Sequence, residues 1–367
     1  MSKDRAATPV QVGIGPDGRL PLPWLGDLLV QAASLDRAHA VLLAGPAGAG
    51  HLALALLMAQ AALCEQPARP SALAGPALAC GRCSACHLVN TRVHTDLLIV
   101  IPDLLRVQLG WVDDEDSKLT KADAKPSKEI RVEQVRQAIA WSQQTSGRGR
   151  DKVMVLHPAD ALNGAAANAL LKTLEEPPGS LRLLLTSTDP ERLLPTVRSR
   201  CQRLRLGLPD TGPALAWLRQ HGVAEPEALL QAAGGSPMEA LAWSAEGLDA
   251  AWLADLPRRV AAADASLLAG RAVPRVVDLL LRLSHDLQAQ AAGGPPRFFQ
   301  AAHLPPGADP AALRLWQAAL LRAARHDEHA WNAGLLIESL VVQAAPVWPR
   351  ALATRPARPG PSLHSAG

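Results

Sequence analysis

Short apolar runs in the first half of the chain alternate with stretches of helical periodicity. Four of these runs have the length of buried strands: Ala40–Ala44, Leu97–Ile101, Val153–Leu156 and Leu181–Leu185. Between the last two, a helix is predicted to begin after Asn163, a good N-cap, and to end before Pro177 and Pro178. Strands that alternate with helices are typical of a parallel sheet, and such sheets bind ligands at the ends of their strands.

The second half of the chain has a different pattern. After Leu206 no apolar run predicts a strand, and Leu, Ala and Trp recur only at helical spacing. Two clear helices are predicted, at Val276–Leu287 and Trp331–Val342. Five tryptophans of this half are predicted to pack in a core or a subunit interface rather than to bind a ligand: Trp217, Trp243, Trp252, Trp316 and Trp331.

Three segments lack either pattern and are predicted to be irregular. Residues 1–19 are expected to be unstructured, and residues 102–128 are interpreted as a loop-like surface insertion. The insertion carries the acidic run Asp113–Asp116, followed by lysines, which is typical of a solvated surface. Residues 346–367 are rich in proline and are predicted to form a disordered tail.

A glycine-rich loop follows the first predicted strand. Gly45 and Gly50 have the spacing of a phosphate-binding P-loop, and a helix is predicted directly afterwards, from Leu52 to Leu63. A working P-loop places lysine and then Ser or Thr after its last glycine, where His51 and Leu52 stand here. A largely neutral imidazole does not replace an ammonium group, and leucine does not hold Mg²⁺. We interpret the loop as a degenerate P-loop that binds no ATP; a glycine-rich turn unrelated to nucleotides is the alternative.

Four of the five cysteines are clustered in the sequence. Cys80, Cys83 and Cys86 form a C-x-x-C-x-x-C pattern, and Cys64 lies upstream at the end of the predicted helix. In a reducing compartment such a cluster indicates a metal rather than disulfides, and four thiolates suit tetrahedral zinc in a structural role. His87 as a replacement ligand, an iron–sulfur cluster and a redox-active dithiol are weaker alternatives.

Composition narrows the classes of function. The formal net charge of +3 is too small to indicate nucleic-acid binding by itself, and a chain with no Tyr and two Phe has few side chains for base stacking. The basic turn Ser146–Arg150 is interpreted either as a contact to a phosphate backbone or as an ordinary solvated turn. No secretory signal or membrane-spanning run is recognised, so we expect a cytoplasmic protein with no membrane partner.

Three motifs carry a resemblance to a known family. The segment Asn168–Pro178 (NALLKTLEEPP), then Thr188–Pro190, then Ser199–Cys201 (SRC) closely resemble bacterial clamp-loader subunits of DNA polymerase III. These are AAA+ proteins, which open the sliding clamp for the replicative polymerase. The resemblance implies an α/β AAA+ domain at 1–206, with a RecA-like parallel sheet, helices on both faces and the zinc module at 64–86. It also implies a small helical lid at 207–248 and an all-α collar for oligomerisation at 249–345.

Two kinds of clamp-loader subunit share these motifs: the ATP-hydrolysing gamma/tau kind and an inert kind, delta prime. The acidic pair that follows the corresponding strand in gamma/tau subunits is replaced by His157 and Pro158. The family's second sensor segment ends in arginine in active subunits, whereas Met238 stands at that position here. With the altered P-loop, these losses favour the inert kind.

Membership in this family would imply a role without ATP hydrolysis by this chain. Arg200, between its motif neighbours Ser199 and Cys201, would act in trans as an arginine finger at the ATP site of a gamma/tau subunit. The partners implied are gamma/tau and delta subunits in a hetero-pentameric ring and, through the complex, the beta sliding clamp and primed DNA. The chain would then be a subunit of the DNA-directed DNA polymerase holoenzyme.

Two alternatives from other classes of function remain. The first is an active gamma/tau-type ATPase, which the residues at 51, 52, 157, 158 and 238 disfavour. The second is a zinc-dependent DNA-binding protein that works alone, which the weak net charge and the few aromatic residues disfavour. Nucleotide binding would separate the first alternative, and salt-dependent DNA binding by the isolated chain would support the second.

Overall fold

The chain folds into two compact units, which comprise Met1–Pro213 and Ala214–Gly367. The structure is a computed structural model and describes residues 12–35, 38–67, 78–112, 125–325 and 332–348. The division falls a few residues beyond the predicted end of the first domain. The predicted boundaries of the lid at 207–248 and of the collar at 249–345 stay predictions.

One parallel sheet forms the centre of the first unit. Its five strands are β1 (Ala40–Ala44), β2 (Leu97–Val100), β3 (Lys152–Leu156), β4 (Leu181–Ser187) and β5 (Gln202–Arg205). They lie in the order β2-β3-β4-β1-β5, and all neighbours run parallel. The ends of β1, β3 and β4 therefore meet at one edge, where the glycine loop and the residues after β3 lie.

Seven α-helices among the described residues accompany this sheet: α1 (Gly26–Ala33), α2 (His51–Leu63), α3 (Ser84–Asn90), α4 (Asp103–Gln108), α5 (Val132–Ser142), α6 (Gly164–Glu175) and α7 (Pro195–Arg198). Asn163 caps α6 as predicted, since its side chain accepts a hydrogen bond from the backbone N–H of Ala166. Leu183 and Leu185 of β4 pack in a buried cluster with residues of α5 and α6. Leu184, which points to the other face, lines a cavity with Met58 of α2. Helices thus cover both faces of the sheet, as predicted.

The regular elements of the second unit are all helices among its described residues. Its helices are α8 (Thr211–Gln220, which spans the division), α9 (Pro226–Ala232), α10 (Pro237–Ala245), α11 (Ala250–Ala261), α12 (Val273–Ala291), α13 (Pro310–Arg325) and α14 (Ala333–Val342). Trp217, Trp243 and Trp316 are buried, as expected of packing residues. The indole N–H of Trp316 donates to the carbonyl of Leu340 at 2.9 Å, which joins α13 to α14. No helix of the described residues is long and apolar enough to cross a bilayer.

The predicted irregular segments are partly wrong at their borders. Val12 and Ile14 are buried, and the N–H of Ile14 donates to the Gln60 side chain at 2.7 Å, so the chain is already packed before residue 19. The insertion 102–128 begins with α4, whose buried Asp103 forms an ion pair with Arg131. Asp113–Asp116 lie outside the described residues.

The prediction that the tail starts at residue 346 is also wrong. Val347 and Trp348 are buried, and the Val347 carbonyl accepts a hydrogen bond from Asp309 at 2.8 Å. Residues 349–367 lie outside the described part of the chain. The proline content of 346–367 predicts disorder, but Val347 and Trp348 are apolar and pack into the core.

Candidate functional site

The glycine loop connects β1 to α2, as the sequence predicts. The N–H of Gly45 donates to the carbonyl of Ser187 at 3.2 Å, and a Cβ at Gly45 would collide with the Leu206 backbone. Gly50 has a φ of +98° and is the N-cap of α2, where a Cβ would lie 2.7 Å from Leu22 Cδ1. Both glycines are therefore required by close packing and backbone conformation, whatever the loop binds.

His51 is turned into the protein. Its side chain is buried, and Nε2 has no hydrogen-bond partner among the described residues. Burial lowers the pKa of His51, against smaller opposing effects of Asp160 and the Gly45 backbone. The imidazole is therefore neutral at physiological pH and gives a phosphate no positive charge. Leu52, the next residue, has no hydroxyl for Mg²⁺.

An apolar segment before α1 packs on the glycine loop. Leu22 and Leu25 are buried, and the indole N–H of Trp24 donates to the carbonyl of Ala49 at 3.3 Å. That carbonyl belongs to the loop itself, directly before Gly50. The sequence analysis did not assign these residues to the loop; only the apolar pair Trp24-Leu25 signals a buried contact.

The position of the acidic pair after β3 holds an uncharged histidine. His157 Nδ1 lies 2.6 Å from Thr186 Oγ1 at the end of β4. Burial, followed by the nearby His51, lowers the pKa of His157 to about 4. Asp160 is close enough to influence His51, and Thr188 Oγ1 lies 3.5 Å from its Oδ2. Sequence reasoning missed this proximity because the short 3-10 helix Ala159–Ala161 brings Asp160 back toward the loop.

The second sensor position lies in the other unit. Met238 is in the first turn of α10 and is 36% exposed. Ser236 caps this helix by accepting from the N–H of Glu239 at 3.2 Å. A thioether therefore lies in the first turn of α10, at the position where the resemblance would place the arginine of an active subunit.

Cys64, Cys80, Cys83 and Cys86 form the cluster that the sequence predicts. Their four sulfur atoms all lie within 4.8 Å of one another. Sγ of Cys64 is 3.9 Å from Sγ of Cys83, and Cys80 is equally far from Cys86. Zinc–sulfur bonds of about 2.3 Å in a tetrahedron would separate the sulfurs by about 3.8 Å. The donor set and its spacing therefore fit a four-coordinate metal.

Backbone N–H groups point at the sulfurs. The N–H of Cys80 donates to Cys64 Sγ at 3.3 Å, Cys83 donates to Cys80 at 3.3 Å, and Cys86 donates to Cys83 at 3.4 Å. Such donors stabilise thiolates. Burial raises the pKa of Cys80, but the N–H groups of Arg82 and Cys83 outweigh it and the net result is a pKa of about 7.

Cys64 and Cys86 need a nearby cation to ionise. Burial raises the pKa of both Cys64 and Cys86 in the metal-free chain. Four neighbouring thiolates in a buried place are costly without a positive charge among them.

The turn at Gly81, with a φ of +69°, packs against the backbone of Gly15 and has no room for a side chain. The segment at 12–15 thereby supports the cysteine site.

Arg200 lies two residues after the end of α7, and its side chain is one-third exposed. Its Nε donates to Glu175 Oε1 at 2.8 Å, and its Nη1 donates to the carbonyl of Thr196 at 2.8 Å. Glu175 is the last residue of α6, so the guanidinium is held between two helices of the same unit. One third of the side chain stays accessible to a second molecule.

The two neighbours of Arg200 in the motif have local roles. Ser199 Oγ donates to the carbonyl of Thr196 at 3.2 Å, and Cys201 Sγ donates to the carbonyl of Val197 at 3.3 Å. Burial raises the pKa of Cys201 to about 12, so this thiol is protonated and unreactive at neutral pH. Both side chains fix the turn that carries Arg200.

Comparisons with known proteins agree with these motifs. The model of the family described as DNA polymerase III, delta subunit, matches residues 25–209. A DNA polymerase III subunit delta' of Pseudomonas aeruginosa is 39% identical over 231 residues, which are 62% of this chain and 62% of that protein. The DNA polymerase III subunit delta' of Escherichia coli is 33% identical over 60% of each chain. These matches thus span about 60% of the length of the relatives.

More distant sequence similarity extends to a tau subunit. DNA polymerase III subunit tau of Escherichia coli is 31% identical over 58% of this chain and 30% of tau. The solved structure of a DNA polymerase III gamma subunit-related protein of Thermotoga maritima covers 88% of this chain and 98% of its own, at 15% identity and a TM-score of 0.48. The match of the family model over half of the chain decides the assignment. The chain therefore belongs to the family described as DNA polymerase III, delta subunit.

Proposed function

We propose that this chain is the ATPase-inactive member of a clamp-loader ring and that it completes the ATP site of a gamma/tau-type neighbour with Arg200. The relatives that match are delta' and tau subunits of DNA polymerase III. The other partners in the proposal are a delta subunit, the beta sliding clamp and primed DNA, which the ring engages together in the cytoplasm.

The burial and neutrality of His51 are the main support for the proposal that this chain does not hydrolyse ATP. His51 occupies the lysine position of the P-loop, and its side chain is buried and neutral. Leu52 follows it, and Leu22 and Leu25 pack against the loop at Gly50. His157 adds a second uncharged group where the metal-binding acids of an active site would be. A nucleoside triphosphate with Mg²⁺ would meet neither the lysine nor the acidic pair that stabilise it in an active subunit.

Calorimetry with the isolated chain and Mg-ATP tests this part of the proposal. We expect an affinity no better than about 1 mM, at which the binding free energy is about −4 kcal/mol. Micromolar binding, or phosphate release by the chain alone, would instead identify an active gamma/tau-type ATPase.

The proposed role of Arg200 depends on its chemistry and its place. The guanidinium is always charged and planar, so it can donate two hydrogen bonds to phosphate oxygens as charge develops in the transition state. Arg200 is partly exposed, and Ser199 and Cys201 fix the turn beneath it. Reconstitution of the ring with gamma/tau and delta subunits, followed by ATPase measurement with an Arg200→Ala chain, tests the role.

We further propose that zinc is the structural metal of the cysteine site. Cys64, Cys80, Cys83 and Cys86 would hold it, and all four coordination positions would then be filled by protein, so that the metal would link the end of α2 to α3 without taking part in catalysis. Metal analysis of the purified chain distinguishes zinc from iron.

A further inference from the structure

We propose that Arg148 is a positioning residue of the cysteine site, which holds the segment carrying Cys64 against the segment carrying Cys83 and so slows the release of the metal. The inference rests on the proposed zinc site. It assigns a part to the basic turn Ser146–Arg150, for which the sequence suggested only phosphate contact or solvation.

The guanidinium of Arg148 contacts a neighbour of each ligand segment. Its Nη1 forms an ion pair with Glu65, which follows Cys64 directly in the chain. The same nitrogen donates to Ser84 Oγ at 2.7 Å, and Ser84 follows Cys83. Ser84 Oγ also lies 3.4 Å from Glu65 Oε1, so the three side chains form one cluster.

Arg150 strengthens the same connection. Its Nη2 donates to the backbone carbonyl of Glu65 at 3.3 Å. Both arginines of the turn therefore make contacts within the chain, which favours a structural role for the turn over a contact to a phosphate backbone. Sequence reasoning missed this because the turn lies more than sixty residues from either ligand segment.

A buried carboxylate fixes the turn itself. Asp96 is 1% exposed and lies directly before β2, at the edge of the sheet. Its oxygens accept from the N–H of Gly147 at 2.8 Å, the N–H of Arg148 at 3.1 Å and the hydroxyl of Ser146 at 3.2 Å. Arg148 thus projects from a turn anchored to the sheet, and its guanidinium meets the two ligand segments in a defined place.

Connecting the two segments matters because a long spacer separates Cys64 from Cys80. Metal binding must bring the ends of this loop together, and the entropic cost rises with loop length. The contact of Arg148 with Glu65 and Ser84 holds the two ligand segments together independently of the metal, which lowers this cost. It should therefore slow the first step of metal release, in which one thiolate leaves. Groups that hydrogen-bond metal ligands directly typically change metal affinity by about 10–100-fold when they are removed, and Arg148, which acts one residue further out, is expected at the lower end of that range.

The test uses the full chain loaded with zinc and a chelating dye that reports released metal. We expect Arg148→Ala to release zinc about tenfold faster than the wild type. Glu65→Gln should also release it faster, and Arg148→Lys should lie between, since an ammonium keeps the ion pair with Glu65. The control is Arg198→Ala, which removes an arginine of similar exposure (29% against 35%) that pairs with Glu191 elsewhere in the unit.

Melting of the metal-free chains separates positioning from general stability. Positioning predicts that Arg148→Ala lowers the melting temperature of the loaded chain more than that of the stripped chain. Equal losses in both states, or release from all variants at the wild-type rate, would overturn the inference while leaving the zinc site intact. A wild-type chain that binds no zinc would overturn the metal assignment and the inference together.

Discussion

Arg200 and Glu175 form an ion pair in which the arginine Nε donates to Oε1 of the carboxylate at 2.8 Å. The pair joins the turn after α7 to the last residue of α6, and the carbonyl of Thr196 accepts a further hydrogen bond from the same guanidinium. An arginine held from two sides points in one direction, which reduces the entropy lost when it meets a phosphate. Glu175 is therefore expected to orient Arg200 for its proposed role.

Glu175→Gln is expected to weaken this orientation without removing the arginine. A partly exposed ion pair contributes up to about 1 kcal/mol, so the rate at the one ATP site completed by Arg200 should fall by up to about fivefold. Stimulated ATPase activity of the reconstituted ring measures it, with Glu191→Gln, which affects the pair of Arg198, as the control. Activity above the wild-type level would show that Glu175 restrains the arginine instead.

His51→Lys is expected not to restore nucleotide binding. The new ammonium would lie in a place where the imidazole is only 5% exposed, Leu52 still lacks a hydroxyl, and the acidic pair is still replaced by His157 and Pro158. Because burial disfavours the charged form, we expect a lower melting temperature than in the wild type. Calorimetry with Mg-ATP and a thermal melt measure both effects, and a gain of micromolar affinity would refute the interpretation of the loop.

Cys83→Ser is expected to remove the metal from the cysteine site. Wild-type chain should contain about one zinc per molecule by elemental analysis, and the variant much less. Cys201→Ser provides the control, since Cys201 is a partly buried cysteine that lies outside the cluster. Iron with a coloured absorption band, or equal zinc in both variants, would contradict the assignment.

His157 should make the chain less stable in acid. Its pKa in the folded chain is about 4, below the ordinary value of 6.5, so the unfolded chain binds the proton more readily between these pH values. Stability is therefore retained above pH 6.5 and lost as the pH falls toward 4, by roughly 3 kcal/mol at most for this group. His157→Gln should show a flatter decline in urea unfolding of the metal-stripped chain, while an unchanged slope would contradict the pKa.

The sequence predicts the sheet well because its central strands are short apolar runs between clear helix signals. β1 is predicted at its observed bounds, Ala40–Ala44, and Asn163 is the observed cap of α6. β5 was missed because three of its four residues, Gln202, Arg203 and Arg205, are polar and exposed at the edge of the sheet. An edge strand has no need of an apolar run.

The cysteine cluster was also predictable, because the spacing of its last three members is a local signal. The contacts that surround the sites were not predictable from the sequence, because they join residues far apart in the chain. Arg148 with Ser84, Asp96 with Gly147, and Trp24 with Ala49 are contacts of this kind. Charge and hydropathy mark such residues only as basic, acidic or apolar, and the fold decides their partners.

The ATPase rate of the reconstituted ring under clamp and DNA stimulation measures whether Arg200 acts on the ATP site of a neighbour, as proposed. An arginine finger is typically worth ~10³–10⁵ in rate at its own site, and the other sites of the ring would dilute the loss. Rings with Arg200→Ala should assemble as the wild type does yet hydrolyse ATP and load clamps more slowly, with little recovery in Arg200→Lys. Rings with Arg198→Ala should be unaffected. If Arg200→Ala rings assemble fully and hydrolyse ATP and load clamps at the wild-type rate, Arg200 is not an arginine finger for the neighbouring subunit.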